Sequence, residues 1–110
     1  MRKIKKYAEQ SMRHGSRFKC GLSKACRLNG WFYSLAGNSQ KACDFWRQGI
    51  EAARSLGAAF EEGLICFEMG RWLDDIERLE SARNIFETIH AKTELARVDA
   101  QIALAGKHIL

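Results

Sequence analysis

The stretch NSQKACDFWRQGIEAARSLGAAFEEGL, residues 38–64, decides how the rest of the chain is read. It spells a helix, a glycine break and the start of a second helix, and it carries no obvious catalytic group. Asn38 and Ser39 are residue types whose side-chain oxygens accept the orphan N–H groups at a helix start. Gly57, just after Leu56, enters the left-handed backbone region at little cost, which is a common way to stop a helix. Gly37, before Asn38, provides the same punctuation one helix earlier.

Working outward, nothing obstructs further helices. Proline is absent from the 110 residues, and proline is the residue that breaks helix interiors most severely. Apolar residues make up 46% and charged residues 28%, the balance of a folded globular chain rather than a disordered one. The length suits one domain with a modest core. Helices are expected near residues 2–13, 16–36, 39–55, 58–75, 78–89 and 92–105, so the fold class is all-α with five to six helices. In the fifth of these segments Leu79, Ala82, Ile85, Phe86 and Ile89 recur at spacings of three and four. Arg78, Glu80, Arg83 and Glu87 fall outside that stripe, as on a half-buried helix.

Several classes are disfavoured on the same grounds. No segment approaches the roughly 20 apolar residues that span a bilayer, so no membrane role is expected. The basic start, MRKIKKYAEQSMRHGSRFK, lacks the apolar stretch and cleavage site of a secretory signal. Cys20, Cys26, Cys43 and Cys66 fit neither zinc-site nor CxxC spacing. Cys26, Cys43 and Cys66 sit in apolar helical patterns and read as small buried hydrophobes of a reduced, cytoplasmic protein, with a disulfide as the alternative.

The chain also echoes itself. Gly30 and Gly70, Ala42 and Ala82, Cys26 and Cys66, Phe32 and Trp72, and Trp46 and Phe86 all pair at a separation of 40 residues. Upstream, HGSRFKCGL (residues 14–22) meets LGAAFEEGL (residues 56–64) at a separation of 42. A weaker copy, IHAKTELA (residues 89–96), puts His90 where Gly57 stands. Repetition at this period is the mark of a helical array in which each helix pair buries its face on the next.

The residues of GWFYSLAGNSQKACDFWRQGIEAA carry a resemblance to the tetratricopeptide repeat (TPR) family. Gly30 and Tyr33 fall on the first helix, Gly37 at the turn, and Ala42, Trp46 and Gly49 on the second. GRWLDDIERLESARNIFETI repeats the pattern with Gly70, Leu73, Ala82 and Phe86. The resemblance departs from the family at Cys26 and Cys66, where tryptophan is usual. The closing proline is absent too, and the spacing exceeds the usual 34 residues. In these respects the chain resembles the divergent TPR-like arrays at the C-termini of bacterial ATPase-linked adenylate or guanylate cyclases and related regulators.

What the resemblance implies is a right-handed array of antiparallel helix pairs in one domain over residues 1–110. Two clear units run over about 16–56 and 57–90, with partial units at both ends. Ile4, Tyr7, Ala8 and Met12 line one face of the segment 2–13, whose partner helix would precede it. The chain therefore reads as a piece of a longer array, with self-association through that first helix as the alternative. In such arrays the first helix of each pair lines the concave side. Lys24, Arg27, Trp31, Phe67 and Arg71 would then face one groove, suited to a protein partner or neighbouring domain with an acidic segment and an apolar anchor. Trp31 and Phe67 can equally be read as core.

No phosphate-binding glycine loop, HExxH or Ser-His-Asp set is present, and His14, His90 and His108 are scattered. Asp74, Asp75 and Glu77 cluster at a helix end and read as a solvated turn. No enzyme activity, metal or cofactor is expected on this chain. Charge is uneven: residues 1–30 carry +8 and residues 31–110 carry −3, within a total of +5. The basic third suits a solvated face, an acidic protein surface or nucleic-acid phosphates. The leading expectation is a non-catalytic protein-interaction or scaffolding module, and the alternative is a basic helical nucleic-acid-associated transcriptional regulator.

Overall fold

The computed structural model describes the backbone of residues 19–109 and the side chains of residues 21–105. Five helices occupy it: α1 (Lys19–Leu35), α2 (Ser39–Leu56), α3 (Ala59–Leu73), α4 (Ile76–Thr88) and α5 (Lys92–Ile109). No strand occurs among the described residues. The expected segment 2–13, and self-association through it, lie outside the described residues.

One device makes all four connections. A residue in the left-handed region ends each helix: Gly37 at φ 83°, Gly57 at 67°, Asp74 at 53° and His90 at 60°. The next residue sends its N–H five residues back, Asn38 to Tyr33 O, Ala58 to Ala53 O, Asp75 to Gly70 O and Ala91 to Phe86 O, at 2.8–3.1 Å. Its own carbonyl then accepts the first bond of the following helix, from Ala42, Glu62, Leu79 and Leu95 respectively. Carbonyls that a helix end would otherwise leave unsatisfied are thereby used. Asn38 and Asp75 add a side-chain cap, Asn38 accepting from the Lys41 N–H and Asp75 from those of Glu77 and Arg78. Ala58 adds none. Asp74 and Asp75 therefore form a tight helix-to-helix turn, which is why α3 stops at Leu73 and α4 begins at Ile76, each a little earlier than the sequence pattern suggests.

Consecutive helices pack on one another, and α1 also reaches α3. Arg97 on α5 sets its guanidinium carbon 5.5 Å from the Phe67 ring centroid on α3, so the odd-numbered helices touch in series. The molecule measures 41 × 31 × 19 Å, and its thinnest dimension is about two helix diameters. Trp46, Ile65, Met69, Leu79, Phe86 and Val98 form the heart of the core, drawn from α2, α3, α4 and α5.

Close approach at α1 and α2 depends on Gly30. A Cβ there would overlap the Trp46 indole, whose Nε1 donates to the Arg27 carbonyl at 3.3 Å. Cys26 and Gly49 meet further along, where the Ser23 hydroxyl donates to the Gly49 carbonyl at 3.3 Å. In the second pair of helices, however, Phe86 lies over Gly63, and Gly70 receives Leu79. The 40-residue echo pairs Gly30 with Gly70, so packing does not follow it on this helix. The turns explain the offset, because the capping residues Asn38 and Asp75 lie 37 residues apart while Trp46 and Phe86 lie 40 apart. Phe86 thus sits almost one turn further along its helix than Trp46 does, and it meets α3 correspondingly further from the connection.

Candidate protein-binding groove

The α1 residues proposed from sequence differ in environment. Lys24 is exposed, and Trp31 is half-buried. Arg27 is held across the α1–α3 contact by Glu61, its Nε donating to Oε2 at 3.3 Å, with both side chains about a quarter exposed. A pair this wet adds only about 0.5 kcal/mol to stability. Its main effect is to fix the direction of the Arg27 guanidinium toward α3.

On α3 the picture divides. Phe67 departs from a groove role: it is 7% exposed and joins the core cluster. Its ring is covered by Arg97, a contact of cation–π type worth roughly 0.5–1 kcal/mol. Arg97 reaches that ring from α5, over a face that an array of two units would leave open. Arg71, by contrast, is exposed and stacks on the Trp72 ring at 5.5 Å.

Trp72 is the aromatic that sequence reading missed. The echo matches it with Phe32, which is 8% exposed, yet Trp72 is 38% exposed and its Nε1 donates to Glu68 Oε2 at 2.8 Å. A usable signal was present in the sequence: a glutamate four residues before a tryptophan can satisfy the indole N–H on a helix surface, leaving the ring in solvent. The structure therefore presents Lys24, Arg27 and half-buried Trp31 on α1, exposed Arg71 and Trp72 on α3, and Arg97 on α5. Glu61 and Glu68 are the carboxylates bonded among them.

Two further polar groups are buried on α1 and serve its packing. Ser23 is engaged by Gly49, and the Asn29 amide donates to the Ala25 carbonyl at 2.9 Å. Burial pushes the Cys26 thiol up to about 11 and raises that of Cys66, where nearby Arg78 acts in the opposite direction. Such thiols resist ionisation, and the thiolate is the reactive form. Among the described residues no three His, Cys, Asp or Glu side chains gather in the manner of a metal site, and no helix is long and apolar enough to cross a membrane. The chain matches no protein-family model, no curated protein and no solved structure.

Proposed function

We propose that the chain is a TPR-like helical-repeat module that binds another protein or a neighbouring domain without catalysing a reaction. The observation that carries this reading is the combination of aromatic and cationic side chains left accessible on helices that touch in series. Trp31 and Trp72 supply apolar area at low entropic cost, and Lys24, Arg71 and Arg97 are exposed cations on the same three helices. An extended segment pairing an acidic residue with an apolar anchor matches that chemistry. Support for the repeat architecture comes from the four like-built connections and from contacts that climb α1 while descending α2, Ser23 and Cys26 with Gly49, Gly30 with Trp46, Tyr33 with Phe45. A place within a larger signalling protein, such as the C-terminal array of a nucleotide cyclase, suits a module of this kind.

Selection from a displayed library of random peptides tests the reading. Enriched sequences should pair Asp or Glu with a bulky apolar residue. Trp31→Ala or Lys24→Glu should weaken their binding by roughly 1–3 kcal/mol with the melting midpoint nearly unchanged. Loss of stability in Trp31→Ala without loss of binding would assign that ring to packing and remove the groove. A steep fall of affinity for an unrelated oligonucleotide with salt, stronger than for any peptide, would favour a phosphate-backbone partner instead.

A further inference from the structure

A second feature lies on the other set of helices. Arg47, Gln48, Ile50, Glu51 and Arg54 of α2, together with Arg78 of α4, line a cleft of about 280 Å³. Three arginines line it, and Glu51 is the one carboxylate among the lining residues. Arg54 directs its Nε to Glu62 Oε2 at 2.8 Å, which leaves the terminal nitrogens of its fork for another acceptor. Arg47 is exposed, and among the described residues neither it nor Glu51, one turn along the same face, forms an ion pair. Arg78 is half-buried, and its charge acts on the Cys66 thiol of α3. Ile50, 3% exposed, belongs to the core beneath.

Three arginines against Glu51 and the Glu62 partner of Arg54 leave the cleft with one positive charge in excess, which an anion can join. A carboxylate can be satisfied by one guanidinium fork. A phosphate monoester carries nearly two charges and three acceptor oxygens, enough to bridge arginines on two helices at once. We propose that the cleft between α2 and α4 binds a phosphate monoester, with Arg47 and Arg78 gripping its oxygens from opposite sides and Arg54 and Gln48 completing the donor set. The site is separate from Trp31 and Trp72 on α1 and α3, and it stands or falls independently of the peptide groove. The phosphate can come from a small metabolite or from a phosphorylated side chain, since both present the same group.

Titration of the whole chain with inorganic phosphate, a phosphoserine peptide and its unphosphorylated twin, at ionic strength held constant with chloride, tests this. Nuclear magnetic resonance signals of the arginine side chains provide the readout. Saturable shifts of Arg47 and Arg78 with phosphate, weakened roughly tenfold in Arg47→Gln, are expected. Arg47 is exposed, so its replacement leaves the fold intact, and Trp31→Ala should leave phosphate binding unchanged. Equal affinity for inorganic phosphate and phosphopeptide identifies a small-molecule source, and tighter binding of the phosphopeptide identifies a modified protein segment. Failure of both phosphate probes to saturate above the chloride background overturns the proposal. So does binding that is indifferent to Arg47→Gln, or equal binding of the unphosphorylated peptide.

Discussion

At the scale of single residues, the absence of one methyl group at Gly30 decides how closely α1 and α2 approach. Adding it in Gly30→Ala drives Cβ into the Trp46 ring, which is wholly buried and cannot swing aside. The expected cost is about 3 kcal/mol, the upper part of the range for overpacking. Gly37→Ala meets nothing within 4 Å and pays only for its positive φ, about 1 kcal/mol. Urea unfolding of both variants checks the order, and equal losses would mean that the indole contact is not limiting. The thiols make a second residue-scale prediction. Because folding raises the Cys26 pKa from the ordinary 9.0 to about 11, the folded state holds its proton more tightly than the unfolded one. That contribution is complete below pH 9 and is lost as pH rises toward 11. Stability should therefore fall across that window, less so in Cys26→Ala measured against its own value at pH 8. Alkylation followed by peptide mass mapping should modify partly exposed Cys43 before buried Cys26 and Cys66.

Elements are bounded by their turns. Asn38 and Asp75 are both capping types, but the sequence pattern marks only Asn38 as a cap, since Asp75 sits in a run of acids that resembles a solvated turn. Asp75→Ala should cost about 1 kcal/mol by freeing the Glu77 and Arg78 N–H groups. Ala58 occupies the matching position before α3 with no side-chain acceptor, so Ala58→Ser should stabilise the chain by about 0.5–1 kcal/mol. Thermal melts of the two variants should move in opposite directions; a shared direction would show that the connections are not equivalent. The internal repeat pairs His90 with Gly57, and both are left-handed. That correspondence was legible because a turn's backbone geometry is a local property, sampled within four or five residues.

Across the molecule, α5 is joined to the rest chiefly by α4 and through contacts to α3. Val98 is fully buried, Arg83 donates to Asp99 at 2.7 Å, and Arg97 covers Phe67. In a chain whose helices rest mainly on their neighbours, damage should spread only to adjacent elements. Val98→Ala is expected to cost about 2 kcal/mol. Hydrogen-exchange protection should drop most in α5 and α4, with α1 and α2 nearly unaffected. A uniform drop would mean that all five helices unfold as one cooperative unit.

Helicity, the positions of the turns within a few residues, the inward face of α2 and that of α4 except at exposed Ile89 follow from the sequence alone. They rest on near-neighbour effects: the absence of proline, capping oxygens, left-handed glycines and apolar spacings of three and four. Tertiary structure decided the rest. Whether Phe67 or Trp72 faced solvent depended on which side of α3 its neighbours packed against, with Arg97 of α5 over Phe67, and whether Gly30 resembled Gly63 or Gly70 depended on where each large aromatic fell relative to its turn. The gathering of Arg47, Arg54 and Arg78 likewise required α2 and α4 to come together around one cleft. Side-chain spacing along a single helix specifies a face, but what covers that face is set by distant segments whose approach no local pattern encodes.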